Sequence, residues 1–347
     1  MRFVRNLLLF IVVVIVLLIG CAFLLPGATH VERSITINRP ASEVYAILNG
    51  YRRFNEWSPW AAKDPNAKYT ISGPAFGVGA KQSWVGDPQK VGSGSQEIVE
   101  STPNTSVVTQ LDFGDMGKAR ARFVLAPDTA PTNTKVTWTL DVDAPLAFDG
   151  GFVHNLIGRY MGLFMDKMVG PDYEQGLAKL KTLAEGLPAA DISGVHGDEL
   201  EHAAQKIYYI STSSGADVES AKAVLTDAYG KLGEFLKANG IATQGAPLTI
   251  TDSDDANGWK FDAALPVDRN DVAPTGDIKS GETYAGKTVQ FMHIGPYDQL
   301  SDASQKANAW LAVQGYKPNG RRIEEYVSDP ANTPPEKLLT VIYIPVQ

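Results

Sequence analysis

The last third of the chain contains an internal repeat, and this repeat most constrains the fold. Residues 225–240 align without a gap with residues 300–315, and Gly245 then matches Gly320. Each copy follows a strand-like run and precedes two more such runs. The pattern predicts a duplicated strand-helix-strand-strand unit, whose two sheets pair about a pseudo-twofold axis. A cleft between two such halves is a common position for a small-molecule site.

The composition is that of a globular chain with more than one domain. The chain has 347 residues, of which 44% are hydrophobic and 20% charged. This length exceeds that of an ordinary single domain. The net charge is −8, and no cluster of basic residues interleaved with aromatic ones occurs, so we expect no nucleic-acid partner. One cysteine and five scattered histidines lack metal-ligand spacing, so we expect no metal or other cofactor.

An apolar segment at the N-terminus predicts membrane attachment. Residues 7–25 carry no charge, and at 1.5 Å per residue they span roughly 28 Å, close to the hydrocarbon thickness of a bilayer. Arg2 and Arg5 precede the run. We therefore expect residues 1–27 to be a single-pass anchor in a bacterial inner membrane, with the later domains facing the periplasm. The alternative is a lipoprotein, because the sequence that ends at Cys21 resembles a lipidation motif.

The middle of the chain, residues 28–186, predicts an antiparallel sheet with a closing helix. An alternating strand at 31–37 is followed by a helix after Pro40 and by a second short helix. Six strand candidates come next, separated by turn residues: 69–72, 80–85, 94–101, 106–113, 119–125 and 135–142. A long helix over 152–183 ends the unit, and we expect it to be interrupted near Gly170-Pro171.

This order of elements resembles the SRPBCC superfamily of START-like and polyketide cyclase-like proteins. The resemblance is carried by residues 31–45, 54–60 and 165–177. It implies a helix-grip fold, in which a curved antiparallel sheet wraps the last helix around an apolar cavity. Relatives use this cavity for lipids, sterols or polyketide-like molecules, and some of them are enzymes. Residues 187–202 are rich in Gly and Pro at their start and lack periodicity, so we expect a linker there.

The repeat resembles the GyrI-like effector-binding domain, the sensor half of several bacterial multidrug-responsive regulators. It covers residues 203–347 and is carried by the motifs at 246–250, 259–267, 289–297 and 323–346. The resemblance implies a duplicated β-α-β-β unit. Together, the two resemblances predict an α+β fold. It consists of a helix-grip domain and a duplicated β-α-β-β domain behind one N-terminal transmembrane helix. We find no DNA-binding module in the sequence, although regulators of this family carry one.

The resemblance assigns the central acid of the cleft to Glu324. Strand alternation puts Glu324 and Tyr326 on one face, and Ile323 and Glu325 on the other. A carboxylate in an aromatic-lined cleft can hold a cation or accept a hydrogen bond from a hydroxyl. If the strand register shifts by one residue, Glu325 takes this position instead. The alternative is that Glu324 is a solvated strand residue.

Three aromatic residues complete the predicted ligand-binding set. Tyr297 follows Gly295-Pro296, a position that the family directs toward the cleft. Trp259 and Phe261 alternate on one strand and therefore share a face, where they form either pocket walls or core. Relatives often have an acid where this chain has Val341, so a two-carboxylate mechanism and a cationic ligand are less favoured.

The sequence favours a membrane-anchored protein that binds hydrophobic or amphipathic small molecules. The chain combines two folds that bind ligands in relatives behind one membrane anchor, and no residue is firmly assigned to catalysis. The alternative is a hydrolase of reactive electrophiles, in which Glu324 and Tyr326 supply acid–base chemistry. A third possibility is a structural module that binds a protein partner through an apolar surface. The sequence leaves the oligomeric state open.

Overall fold

The fold consists of two units, each built on one antiparallel sheet. A computed structural model describes residues 2–26, 28–114, 117–128, 130, 132–142 and 152–347, without the side chains of residues 2 and 152–157. The chain divides into Met1–Ser193 and Gly194–Gln347. One sheet has seven strands and the other has eight. The predicted α+β fold class, with a START-like and a duplicated GyrI-like sheet, is confirmed.

Among the residues that the structure describes, the first unit combines five helices with the seven-stranded sheet. The helices are α1 (Arg2–Leu24), α2 (Ala41–Leu48), α3 (Phe54–Trp57), α4 (Pro59–Lys63) and α5 (Phe152–Glu185). The strands are β1 (Thr29–Ile37), β2 (Lys68–Ser72), β3 (Lys81–Val85), β4 (Ser93–Thr102), β5 (Ser106–Asp112), β6 (Lys118–Pro127) and β7 (Thr134–Val142). They pair antiparallel in the order β1-β7-β6-β5-β4-β3-β2. Because β1 pairs with β7, the first and the last strand of this unit in the chain are neighbours in the sheet.

Aromatic rings from α3, the sheet and α5 pack against one another. Trp138 of β7 stacks on Tyr173 of α5, with ring centroids 3.8 Å apart and planes inclined by 10°. Trp57 packs edge-to-face with Trp138 at 5.6 Å, and Phe123 stacks on Trp138 at 4.9 Å. Such ring pairs add about 0.5–1.5 kcal/mol each to the gain from burial. This aromatic cluster joins α3, the sheet and α5.

The prediction that the last helix is interrupted at Gly170-Pro171 is wrong. The helix α5 is continuous and contains Pro171. A long-range contact with Arg33 of β1 bridges the turn that contains the proline. Its guanidinium donates to Asp166 at 2.8 Å and to Glu174 at 2.7 Å, one turn on each side of the proline. Gly170 leaves the space that this guanidinium occupies, since a Cβ there would collide with it. These bonds hold the two sides of the proline turn together.

The second unit contains the duplicated element. Its helices are α6 (Val218–Ala238) and α7 (Leu300–Gln314), with short 3-10 turns at Tyr297–Gln299 and Pro335–Lys337. Its strands are β8 (Gly197–His202), β9 (Lys206–Ser214), β10 (Leu248–Asp255), β11 (Gly258–Pro266), β12 (Ile278–Glu282), β13 (Gly286–Ile294), β14 (Arg322–Tyr326) and β15 (Leu339–Pro345). The order is β12-β9-β11-β10-β14-β15-β13-β8. The copies β9-α6-β10-β11 and β13-α7-β14-β15 therefore meet where β10 pairs with β14.

The end of each repeated helix explains why glycine recurs there. Gly240 follows α6 with a φ of 63°, and Gly315 follows α7 with a φ of 76°. This left-handed conformation closes a helix and is strained for residues with a Cβ. The equivalent residues Phe235 and Trp310 are both buried in the core. The repeat is therefore visible in the sequence mainly through its helix ends and its core positions.

The predicted linker over 187–202 needs a correction, because its last six residues form β8. This strand pairs antiparallel with β13, from Gly197 opposite Phe291 to His202 opposite Gly286. Its other side chains are mostly charged and exposed, as is common for a strand at the edge of a sheet. The apolar alternation that identifies a half-buried strand is therefore missing from its sequence.

Candidate functional site

A cleft of about 820 Å³ opens on the helix-bearing side of the second unit. Its walls come from the first half of α6, the start of α7, the strand β14 and the loop that follows β14. Apolar positions include Leu225 and Leu300, the first residues of the two repeats. The volume is in the range of natural small-molecule sites.

The cleft follows the pseudo-twofold symmetry of the repeat, in which equivalent residues differ by 75 positions. Asp254 and Asp329 are one such pair, and both line the cleft. At the axis, Thr249 of β10 lies directly opposite its own equivalent, Glu324 of β14. The symmetry is therefore broken at the centre, where one copy supplies a hydroxyl and the other supplies a carboxylate.

The carboxylate of Glu324 is surrounded by protein donors. Glu324 is only 3% exposed. The Tyr326 hydroxyl donates to Oε2 at 3.1 Å, and the Thr249 hydroxyl lies 3.4 Å from the same oxygen. The Ser304 hydroxyl donates to Oε1 at 3.4 Å. Buried carboxylates need such partners, because an unpaired charge is costly to desolvate. Both oxygens thus have partners before any ligand arrives.

Arg322 is the counter-charge of Glu324. Its Nε lies 2.9 Å from Glu324 Oε1, and its side chain is mostly buried. A terminal nitrogen of the same guanidinium donates to Asp254 Oδ2 at 3.1 Å. Arg322 was not among the predicted site residues, although the alternation that pairs Glu324 with Tyr326 also puts Arg322 on that face. One guanidinium therefore connects the central carboxylate with an acid of the cleft wall.

Three phenols stay protonated around this pair. Burial raises the pKa of Tyr326 well above its usual value, and the neighbouring Glu324 carboxylate adds to the shift. The pKa of Tyr229 is raised by burial and then by Glu324, and its hydroxyl donates to the Leu248 carbonyl at 2.8 Å. Burial also raises the pKa of Tyr297. Because neutral phenols donate hydrogen bonds and do not accept protons, these residues act as donors at physiological pH.

The predicted aromatic residues take different places. Tyr297 lines the cleft and meets Tyr326 edge-on, with ring centroids 5.5 Å apart. Trp259 also lines the cleft, and its indole donates to the Thr251 hydroxyl at 3.0 Å. Phe261 stacks behind Trp259 at 3.8 Å and lies in the hydrophobic core under α6. The structure therefore brings Tyr297, Tyr326 and Trp259 to the cleft with Glu324, and places Phe261 one layer deeper.

The residues on the opposite face of β14 do not reach the cleft. Ile323 belongs to a separate apolar cluster on that face, and Glu325 accepts from the Tyr343 hydroxyl at 3.0 Å. Val341 of β15 pairs in register with Glu325 and so shares this face. An acid at position 341 would therefore point away from Glu324. The absence of an acid there does not disfavour a cationic ligand in the cleft.

This arrangement suits binding better than proton abstraction. A general base needs a free carboxylate oxygen within hydrogen-bond distance of the substrate proton. Here each oxygen of Glu324 already meets a hydroxyl donor, and Arg322 lies next to one of them. A ligand can accept from the Tyr297 hydroxyl, stack on Trp259 or displace one of the hydroxyl donors of Glu324. The site therefore offers directed polar contacts inside an aromatic wall.

The interior of the first unit also contains unmatched polar atoms. The indole nitrogens of Trp57 and Trp138 and the amide nitrogen of Gln82 are buried, and they find no hydrogen-bond acceptor among the residues that the structure describes. Buried donors without a partner are rare in native proteins and call for water or a ligand. They lie in the unit whose sequence resembles a ligand-holding fold.

Comparison with known families agrees with this geometry. Residues 198–347 match the GyrI-like small molecule binding domain. Residues 28–185 match the family described as polyketide cyclase / dehydrase and lipid transport. The two resemblances predicted from the sequence are therefore confirmed. The first match begins within β8, in accord with the position of this strand in the second sheet. Both matched families are described by small-molecule or lipid chemistry.

Several solved structures are similar to parts of this chain. An EcmrR–DNA complex is 18% identical over 58% of this chain and 75% of its own, with a TM-score of 0.41. The EcmrR C-terminal domain is 21% identical over 44% of this chain and 98% of its own, with a TM-score of 0.40. The Zhui aromatase/cyclase from Streptomyces sp. R1128 is 18% identical over 46% of this chain and 94% of its own, with a TM-score of 0.34. No curated protein matches the chain.

Proposed function

We propose that the chain is a membrane-anchored protein that binds amphipathic, aromatic small molecules in the cleft of its second unit. The observation that carries this proposal is the cleft itself, about 820 Å³ in volume, in which Glu324 lies among the rings of Trp259, Tyr297 and Tyr326. Ring faces bind aromatic and cationic groups, and directed donors orient the polar end of a ligand.

The charges that line the cleft favour a neutral or cationic ligand over an anionic one. Carboxylates outnumber cations among the lining residues: Asp217, Asp254, Glu324 and Asp329 against Lys222 and Arg322. Arg322 is already engaged by Glu324 and Asp254. An anion would therefore meet a net negative wall whose buried cation is neutralised.

For the first unit we propose an apolar ligand, held between the sheet and α5. The support is the match of residues 28–185 to a family of cyclases and lipid-transport proteins, together with the buried unmatched donors of Trp57, Trp138 and Gln82. A ligand with an apolar body and one or two acceptor atoms satisfies both observations.

The anchor in this proposal is α1. The stretch Phe3–Leu24 is long and apolar enough to cross a membrane, and by these criteria a signal sequence also qualifies. Arg2 and Arg5 at its start favour an orientation with the N-terminus in the cytoplasm and both units in the periplasm. The lipoprotein alternative requires a lipid on Cys21, whose side chain is exposed.

Ligand binding is tested by native mass spectrometry of the detergent-solubilised full chain, mixed with neutral Nile red, cationic acridine orange or anionic fluorescein. We expect one saturable acridine orange site, with roughly tenfold weaker binding in Glu324→Gln. In this variant Arg322 loses its main counter-charge, and its positive charge then repels the cationic dye. Nile red binding should persist in this variant and shows that the cleft is intact. Glu325→Gln is the matched control, since its side chain lies on the opposite face. Equal effects of the two variants, or no saturable site, would contradict the proposal.

Anchoring is tested by alkaline carbonate extraction of membranes that contain the full chain or its Cys21→Ser variant. If α1 is the anchor, both proteins stay in the membrane fraction, because a largely apolar helix of 22 residues partitions into the bilayer without a lipid. Release of the Cys21→Ser variant alone would assign the attachment to a lipid on Cys21. Release of both would refute membrane anchoring.

A further inference from the structure

The two halves of α5 lie in different surroundings. In its C-terminal half, Leu177 and Leu180 are fully buried against the sheet. In its N-terminal half, Met161, Phe164 and Met168 are 38%, 52% and 57% exposed. Their spacing of three and four residues puts them on one side of the helix. Large apolar side chains grouped on an exposed helix face usually mark a contact surface.

This exposed half of α5 is held beside the end of α1. The Arg159 guanidinium donates to the carbonyls of Leu25 at 3.1 Å and Ala22 at 3.3 Å, and the Tyr160 hydroxyl donates to the Leu18 carbonyl at 2.6 Å. Carbonyls at the end of a helix lack partners within the helix, and a cation there also complements the helix dipole. The bonds tie the first turns of α5 to the last turns of α1.

The position of these bonds along α1 sets the depth of α5. Tyr160 meets α1 at Leu18, six residues before the end of the helix at Leu24, which is about 9 Å along the helix axis. Tyrosine and arginine are the residues that place an apolar body in the acyl layer and a polar tip among the headgroups. If α1 crosses a bilayer with Leu24 at its edge, Arg159, bonded to Ala22 and Leu25, therefore lies in the interfacial layer, and the Tyr160 hydroxyl reaches about 9 Å further along α1 toward the bilayer centre.

We propose that residues 158–168 of α5 form a second membrane-contact surface, whose side chains Met161, Phe164 and Met168 enter the interfacial layer of the bilayer that holds α1. This inference rests on the proposed anchoring by α1. Lipid is the occupant because the surface continues from α1, whose apolar side chains are nearly all exposed along its length. A tether and an adjoining contact surface together fix the orientation of the first unit on the membrane, which a single flexible tether does not.

The test uses the full chain reconstituted in phosphatidylcholine–phosphatidylglycerol vesicles, with Cys21→Ser as the background. Single cysteines are introduced by Phe164→Cys and Met168→Cys, and each is labelled with a polarity-sensitive fluorophore. Lipids with a nitroxide on the acyl chain then quench any label that contacts them. Val85→Cys is the matched control, because Val85 is 63% exposed but lies on β3, near the sheet edge opposite β1. Leu17→Cys reports on α1 itself.

We expect at least twofold stronger quenching and a blue-shifted emission at positions 164 and 168 than at position 85. Quenching at position 17, with positions 164 and 168 no different from position 85, would overturn the inference while leaving the anchor in place. Absence of quenching at position 17 as well would refute both the anchor and the inference. The two failures are thus distinguishable in one set of samples.

Discussion

Removal of Arg322 tests whether the central carboxylate of the cleft depends on its counter-charge. In the Arg322→Met variant, Glu324 remains in a site where its side chain is only 4% exposed, and it loses the guanidinium at 2.9 Å. A buried charge deprived of its partner typically costs 3–5 kcal/mol, so we expect the free energy of unfolding of the second unit to fall by about 4 kcal/mol. The remaining hydroxyl donors reduce this loss only in part.

The complementary variant is expected to be milder. In Glu324→Gln, Arg322 keeps its bond to Asp254, so we expect a loss of about 1–2 kcal/mol. In the double variant neither central charge remains. Its loss should therefore be smaller than the sum of the two single losses, by about 2 kcal/mol, within the range measured for interacting residues.

The assay must report on the second unit alone. Hydrogen–deuterium exchange of peptides from β10 and β14, measured against urea concentration in the full chain, gives the unfolding free energy of this unit. If the losses in the two single variants add up in the double variant, Glu324 and Arg322 are energetically independent. That result would refute the view that Arg322 maintains the carboxylate.

Three further changes test other parts of the structure. The pKa of Glu43 in α2 is raised, mainly by burial, so protonation of this carboxylate favours the folded state. The first unit should therefore lose stability as pH rises above the usual pKa of glutamate, by at most about 1.4 kcal/mol per pH unit, and Glu43→Gln should flatten this dependence in denaturant titrations. In α6, where a side chain at Gly230 meets open space, Gly230→Ala should stabilise the second unit by about 0.5–1 kcal/mol in thermal unfolding. Gly258→Ala should destabilise this unit by about 1–3 kcal/mol in the same assay, because φ is 122° and a Cβ would collide with the Ser214 carbonyl; an unchanged melting temperature would contradict this.

The parts of the fold that depend on local patterns could be predicted from the sequence. The duplicated helices are such a case, because Gly240 and Gly315 end them and equivalent apolar residues pack beneath them. The strand β8 could not be predicted, since its charged residues pair only through the backbone. The turn of α5 that contains Pro171 is bridged by Arg33, which is more than 130 residues away in the chain. Contacts of this kind leave no periodic signal.

The candidate site divides in the same way. Alternation along β14 is sufficient to put Glu324 and Tyr326 on one face, and the same rule would have identified Arg322. Alternation also placed Trp259 and Phe261 together, but it could not determine which of the two faces the cleft. That depends on how α6 covers the sheet: Phe261 lies under this helix, while Trp259, near the start of β11, remains at the cleft wall. Helix cover is a tertiary property.

The broken symmetry at the centre of the cleft has a consequence for recognition. A perfectly duplicated site would present the same groups to both ends of a ligand and could not fix its direction. Here Thr249 faces Glu324 across the axis, and the position of Tyr229 in the first copy is taken by Ser304 in the second. The acidic wall residues Asp254 and Asp329, in contrast, are retained in both copies. The cleft therefore keeps one acid in each copy but is polarised at its centre, so a ligand with one polar group should bind in a single direction.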